Sequence, residues 1–385
     1  MLAATDLTGA TVTGLLDTFG TPAMVVGRAP GRVNLIGEHT DYNAGLVLPV
    51  ALPHATYVAA APRPDGRVRL ASAQEPDSYT GTLDGLGPGA LTGWPAYVGG
   101  VLWALREAGV EVPGVDLYID SCVPFGAGLS SSAAVMCATA AAAVGLTGRR
   151  IDEQVRASIV AAATRAENEV AKAPTGGMDQ TISTFAADGS ALLIDFASGE
   201  RRAIPLALGD RTILVTDTRV HHTNSDGGYA SRRAQCEQAA TELGVPTLRE
   251  ARLADVERLD DDVVRRRARH IVTEIARVEP AADALVAGDW TTLGELFAAS
   301  HASMRDDFEI SVPELDLAVA TATEHGADGA RMTGGGFGGS IVSVLPETAV
   351  DQVTEAIDEA FASAGHNPPQ HLRATPSVGA TYMTL

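Results

Sequence analysis

Three short segments of this 385-residue chain put glycine beside polar side chains where a folded core would want apolar ones. The first runs Ala29-Pro30-Gly31-Arg32-Val33-Asn34-Leu35-Ile36-Gly37-Glu38-His39-Thr40-Asp41-Tyr42. Arg32, Glu38, His39 and Asp41 gather a guanidinium, two carboxylates and an imidazole within ten residues. Carboxylates accept, arginine donates and histidine does either, so this set can hold several hydroxyl groups of a sugar in fixed geometry. A capped turn with a surface ion pair is the ordinary alternative.

The second segment is Pro124-Phe125-Gly126-Ala127-Gly128-Leu129-Ser130-Ser131-Ser132-Ala133-Ala134, running into an alanine-rich helix that extends to about Val144. A glycine loop that ends in serines at a helix start offers backbone N–H groups and the positive end of the helix dipole. That is an anion site suited to phosphate, to which hydroxyls add hydrogen bonds or a Mg²⁺ ligand. The bland reading is a serine N-cap after a flexible turn. The third segment, Met332-Thr333-Gly334-Gly335-Gly336-Phe337-Gly338-Gly339-Ser340, contains GxGxxG but leads into the strand-like Ile341–Leu345. Dinucleotide binding needs a helix after the glycines, so NAD is not expected here. A glycine loop beside a ligand and a simple hairpin turn both fit.

These segments must work in an acidic molecule. The net charge is −20, and of the 28 basic residues all but Lys172 are arginine. So acidic a surface repels polyanions, which argues against nucleic acid or an anionic membrane as partner; an anionic ligand needs a local device such as the serine-tipped helix. GxxxxGK[ST] is absent, so a P-loop is excluded. Cys122, Cys137 and Cys236 are too few and too scattered for a disulfide framework or a zinc site and suggest a reducing cytoplasm. No secretory signal is expected at the N-terminus. The charge-free stretch Ser121–Gly148 is long enough to span a bilayer, but its proline, glycines and serines and its alanine content fit a buried helix better.

Positioning elements can be read around the segments. Ala23–Val26, Leu46–Val50, Thr56–Ala60 and Val115–Ile119 look like strands, and Pro95–Ala108 like a helix. Ile151–Ala173 has the spacing of an amphipathic helix stopped by Pro174, with Gly176, Gly177 and Asp179 just beyond. Glu167 borders its apolar face and could point at the same cleft as Asp179; an exposed helix glutamate is the alternative. Beyond about Ala186 come the strands Ala191–Asp195 and Thr212–Asp217, then charged helices from Ser231 to Val278, so a domain boundary is expected there, dividing 1–185 from 186–385. The run Asp260–Arg269 reads as a solvated helix face.

The first segment, continued through Asn43, Gly45 and Leu48-Pro49, resembles the galactokinase signature. The second resembles the ATP-binding motif of the wider GHMP kinase family, and the third is similar to that family's last glycine-rich motif. Gly176-Gly177-Met178-Asp179-Gln180, Tyr229 with Arg232-Arg233, and Ser300-His301 through Arg305-Asp306-Asp307-Phe308 extend the match over nearly the whole chain. The resemblance implies an α+β fold of two domains, the N-terminal one like domain 2 of ribosomal protein S5 and the C-terminal one ferredoxin-like, with the active site in the cleft between them. It also implies ATP-dependent phosphorylation of the C1 hydroxyl of α-D-galactose, the first committed step of galactose catabolism, by a cytoplasmic monomer.

By the same resemblance Asp179 lies beside the C1 hydroxyl, as general base or electrostatic partner, and Arg32 lies between it and the transferring phosphoryl group. A sugar hydroxyl is a poor nucleophile, so a carboxylate must accept or steer its proton while positive charge stabilises the phosphoryl oxygens. Sugar binding maps to Glu38, His39, Asp41, Gly176, Asp179 and Tyr229. ATP maps to Gly126, Ala127, Gly128, Leu129, Ser130, Ser131 and Ser132, with Trp94 and Tyr97 flanking adenine. Mg²⁺ maps to Ser131 or Ser132 and to Glu167.

The chain departs from the family's usual pattern at Gly335, Ser340 and Ile275, where alanine, cysteine and asparagine are common, and in the spacing of His221–Gly228 before Tyr229. Two other readings stand beside the kinase of galactose: a GHMP kinase of another substrate, such as an N-acetylated galactosamine, and a galactose sensor without chemistry. The intact Ser132-Ala133 opposes the sensor.

Overall fold

A computed structural model describes residues 1–220 and 225–385. The first half of the chain runs α1 (Thr8–Phe19), β1 (Val25–Asn34), β2 (Leu46–Val47), β3 (Pro49–Arg63), β4 (Arg67–Ser72) and β5 (Glu75–Thr82). It continues with α2 (Trp94–Glu107), β6 (Gly114–Ser121), α3 (Ser131–Leu146), α4 (Glu153–Glu169) and α5 (Met178–Phe185). Then come β7 (Ser190–Asp195), β8 (Arg201–Pro205), β9 (Arg211–Asp217), α6 (Ser225–Leu243), α7 (Leu253–Val256), α8 (Asp262–Ala287) and α9 (Trp290–Asp306). The last elements are α10 (Pro313–Glu324), β10 (Gly329–Thr333), β11 (Ser340–Pro346), α11 (Val350–Ala364), β12 (Gln370–Arg373) and β13 (Thr381–Thr384).

A six-stranded sheet of order β13-β1-β3-β6-β4-β5 carries α2, α3 and α4 on one face. The charge-free segment becomes α3, buried nearly all round rather than along one stripe. Alanine lets it approach β1 closely: a Cβ on Gly27 would lie 2.2 Å from the carbonyl oxygen of Ala138. A helix apolar on every side belongs inside a core, which is where it sits. Asp152 caps α4 by accepting from the amide of Val155 at 2.9 Å, and the apolar side of α4 packs into the same core.

A four-stranded antiparallel sheet, β10-β11-β9-β12, forms the second core with α6 and helices that follow it. A small sheet, β2-β7-β8, lies between the two halves of the sequence. Strand pairing crosses the expected division at residue 185 in two places. β2 pairs with β7, and β13, the last strand, pairs with β1.

Three expectations need adjustment. The first strand is longer than its sequence pattern suggested and takes in Ala29–Asn34, so half of the first polar segment is sheet rather than turn. The hairpin β4–β5 lies outside the expected strands: β4 buries Val68 and Leu70 beside β6, while β5 is an outer strand with no fully buried residue. The run Asp260–Arg269 is not wholly solvated: Arg267 is 2% exposed and donates to the carbonyl oxygen of Asp307, to Glu309 and to Gln235.

Candidate active site

β1 breaks register against β3 between Pro30 and Arg32. A bulge bends a strand and re-aims its side chains, and here it turns Arg32 toward the start of α5. Gly31 is needed at the bend, because a Cβ there would lie 2.7 Å from the carbonyl oxygen of Leu129. Arg32 Nε donates to Asp179 Oδ1 at 2.8 Å and Nη2 to Asp179 Oδ2 at 2.9 Å. This fork-on-fork geometry fixes both groups and is available to arginine but not to lysine. Nη1 donates to the carbonyl oxygen of Gly128, which ties the pair to the glycine loop.

Ser130 stands before α3 in a left-handed conformation, φ 61°. Its hydroxyl does not cap the helix; it donates to Asp179 Oδ2. The serine N-cap alternative is therefore set aside at Ser130. The first-turn amides of α3 keep the orientation that attracts an anion. A cavity of about 320 Å³ opens between α3, α4 and α5, lined among others by Arg32, Asp41, Ser131, Glu167, Asp179 and Tyr229. Arg32 and Asp179 thus share one cavity with the serine-tipped helix end.

In the first polar segment, His39 is also left-handed, φ 63°. Its Nε2 faces the carbonyl oxygen of Gly335 at 3.1 Å, and its Nδ1 faces the Tyr42 hydroxyl at 2.8 Å. A carbonyl only accepts, so Nε2 carries the proton and the Tyr42 hydroxyl donates to Nδ1. Burial pushes the His39 imidazole down to about 3, so it is neutral at ordinary pH. Tyr229 on α6 lies with its ring centre 5.0 Å from that of His39. His221, His222, Thr223 and Asn224, which carry much of the irregular spacing before Tyr229, lie outside the described residues.

Asp41 accepts from the amides of Tyr42 at 3.0 Å and of Met178, the first residue of α5, at 3.4 Å. Burial, reinforced by the negative charge of Asp179, pushes its carboxyl up to about 6. Gly176 makes room for it: a Cβ there would fall 2.3 Å from the Asp41 carboxyl carbon. Glu38 also lines the cavity, but its oxygens are engaged by the protein. It pairs with Arg331 and accepts from the Thr333 hydroxyl at 3.2 Å and the Gly334 amide at 3.0 Å.

On the other side, Glu167 is buried and faces the cavity, so the exposed-glutamate alternative does not hold. Its Oε2 accepts from Gln180. Burial pushes its carboxyl up to about 7 against the opposing hydrogen bond from Ser132. A second, largely apolar cavity of about 360 Å³ is lined by Trp94, Tyr97, Val98, Val123, Phe125 and Val135, and it meets the first at Ser131 and Ser132. Within the loop the side chains of Ala127 and Leu129 are buried in the core; the Ala127 carbonyl accepts from the Ser340 hydroxyl at 2.6 Å, holding the third glycine segment against the second.

That third segment is a loop between β10 and β11, which agrees with the rejection of a dinucleotide site. Of the departures noted above, Ser340 fills a hydrogen-bonding role, Gly335 presents its carbonyl to His39, and Ile275 packs in the core. Sequence reasoning missed Arg331 and Glu274, both fully buried behind the sugar side. A lone arginine in the otherwise apolar Gly329–Met332 was the available signal.

Family models match in the same order as these parts. The galactokinase galactose-binding signature covers residues 16–62, the GHMP kinases N terminal domain 96–187 and the GHMP kinases C terminal domain 281–363. These matches and the fold define a GHMP kinase, and the mevalonate kinase of Methanococcus jannaschii shares the fold at a TM-score of 0.68 and 16% identity, over 93% of this chain and 99% of that one. Among curated relatives, the galactokinase of Streptomyces coelicolor is 48% identical over 377 residues, 94% of this chain and 95% of that protein. The galactokinase of Canis lupus familiaris is 41% identical over 90% of each chain. The structure of Lactococcus lactis galactokinase complexed with galactose matches 98% of this chain and all of that one, with a TM-score of 0.92 and 30% identity. The chain belongs to the galactokinase family. It is a kinase, with ATP as the phosphoryl donor of the family.

Proposed function

We propose that the chain transfers the γ-phosphoryl group of ATP to the C1 hydroxyl of α-D-galactose, giving α-D-galactose 1-phosphate and ADP. The observation that carries this is the bidentate Arg32–Asp179 pair facing the same cavity as the N-terminus of α3. Phosphoryl transfer asks mainly for alignment and charge stabilisation, and the site supplies both. Asp179 accepts or steers the C1 hydroxyl proton. Arg32, held by Asp179 and the Gly128 carbonyl, places its charge on the transferring phosphoryl oxygens. His39, Asp41, Gly176, Tyr229 and Glu38 shape the sugar side, and Gly126–Ser132 with Trp94 and Tyr97 shape the nucleotide side.

Ser131, Ser132 and Glu167 fit Mg²⁺, since they offer hard oxygen ligands at the mouth of the anion site and Glu167 is a buried carboxylate without an arginine of its own. When bound, the ion would neutralise charge on the β- and γ-phosphates. The chain is proposed to act as a monomer, with 1–185 and 186–385 as the two parts that line the cleft: Tyr229, Gly334 and Gly335 of the second share the cavity with Arg32, Asp41 and Asp179 of the first.

A coupled ADP-release assay across galactose, glucose, N-acetylgalactosamine, mevalonate and homoserine tests the reading. Galactose is expected to give the highest kcat/KM. A preference for N-acetylgalactosamine moves the assignment to another sugar kinase, and no ADP with any of them ends it.

A further inference from the structure

Beside local bonds such as that of the Thr40 hydroxyl to the Leu46 carbonyl, the sugar-recognition loop Leu35–Thr40 is fixed by contacts from the second half of the chain. Arg331 on β10, 0% exposed, donates through Nη1 to the carbonyl oxygen of Leu35 at 2.7 Å and through Nη2 to the carboxylate of Glu38. Glu274 on α8, also 0% exposed, accepts from the amide of Gly37 at 3.0 Å and lies 3.4 Å from Arg331. His270, one turn earlier on α8, meets the carbonyl oxygen of Glu38 at 3.3 Å. Three backbone groups of the loop, at Leu35, Gly37 and Glu38, are thus held by one buried cluster just ahead of His39 and Asp41.

Within the cluster the two carboxylates are pushed in opposite directions: burial raises that of Glu38, while Glu274 stays ionised. Glu274 is held down to about 2 despite its burial, chiefly by Arg331, with His270, Arg277 and the Ser300 hydroxyl adding to it. Arg277 Nη1 donates to its Oε2 at 2.9 Å and Ser300 to its Oε1 at 2.7 Å. A buried ion pair costs desolvation and is a poor way to stabilise a core, so its retention points to a demand for geometry rather than stability. Glu38, anchored by Arg331, in turn holds the Gly334 amide, and the Gly335 carbonyl holds His39. The sugar loop and the third glycine segment are therefore clamped together through Arg331.

We propose that Arg331 and Glu274 are positioning residues that set sugar affinity: they lock Gly37 and Glu38 so that His39 and Asp41 meet the hexose in a fixed arrangement, without touching it themselves. This rests on the galactose reading of the cavity. The cluster's own side chains bond to none of the residues assigned to the nucleotide and reach that side only through the third glycine segment, so its loss should fall mainly on one substrate.

The test is steady-state kinetics of the full-length Glu274→Gln and Arg331→Lys variants, each varied in galactose and in ATP, with circular dichroism to check folding. Glu274→Gln keeps the shape and removes the charge that faces Arg331. Its KM for galactose is expected to rise at least about tenfold, since small misplacements of binding groups have effects up to about a hundredfold. KM for ATP and kcat are expected to stay within about twofold, because the pair of Arg32 and Asp179 is untouched. Arg331→Lys keeps the charge but cannot span Leu35 and Glu38 together, so it should rise as well. If Arg331→Lys does not fold, Glu274→Gln and Ser300→Ala carry the test, with Ser300→Ala the milder. Folded variants whose galactose KM stays within twofold of wild type, or whose ATP KM rises equally, overturn the inference. A wild-type enzyme that does not saturate with galactose overturns the functional reading instead.

Discussion

The two sides of the active-site cavity are built on opposite plans. On the proposed sugar side, Glu38, His39 and Asp41 are tied to the protein before any ligand arrives: Glu38 to Arg331, His39 to Tyr42 and Gly335, Asp41 to the amides of Tyr42 and Met178. On the nucleotide side, the wall is apolar, Phe125 is 87% exposed at its edge, and the anion is met by backbone amides at a helix start. Fixed donors and acceptors discriminate among hydroxyl patterns, because a mismatch leaves a buried group unpaired. Backbone amides and an apolar slot bind any ligand with the right charge and a flat ring. Selectivity belongs to the first side and general affinity to the second.

The sharpest break comes where the two sides meet. Asp179→Ala removes the group proposed to contact the C1 hydroxyl and is expected to lower kcat by about three to four orders of magnitude with the fold retained, measured by ADP release and circular dichroism. Arg32→Lys should cost about two orders of magnitude, because a point charge cannot hold Asp179 and Gly128 together.

The next effect separates the sides by pH. Asp41 has its carboxyl raised to about 6, so below that pH it is protonated and loses acceptor capacity. KM for galactose should rise by about tenfold per pH unit below 6 while the contribution of His39, already neutral, stays constant; a pH profile of kcat/KM for galactose from pH 5 to 8 reads this. The raised folded-state value also means that the stability Asp41 contributes is present below its unfolded value and lost as pH rises through about 6. The smallest effect is Trp94→Ala, which should raise KM for ATP by about two- to tenfold, from the loss of aromatic contact, and leave KM for galactose unchanged.

Much of this was legible in the sequence, for reasons that differ by region. Arg32, Asp179 and Ser130–Ser132 stand in short runs of glycine and polar residues, where the chain gives up packing for function, and the structure brings them together. The helix after them was readable because it lacks charge over its whole length. Glu167 could only be placed by its helical phase, and the fold had to show that this face is covered. Arg331 and Glu274 were not read, since an arginine in a strand and a glutamate in an arginine-rich helix look like surface residues until a partner from elsewhere in the chain neutralises them. The same holds for β4 and β5, whose pairing is decided by the sheet they join.

The pairing of β13 with β1 carries a consequence for how the protein is made. Arg28 aligns with Thr381 at one end of this ladder and Val25 with Thr384 at the other, so an outer edge of the six-stranded sheet stays uncovered until those late residues leave the ribosome. An uncovered edge invites pairing with other chains, and contacts so distant in sequence form slowly. The nascent chain thus passes through a stage in which its earliest strand waits for its latest, and during that interval sticking to neighbours, rather than loss of the finished state, is the hazard for yield.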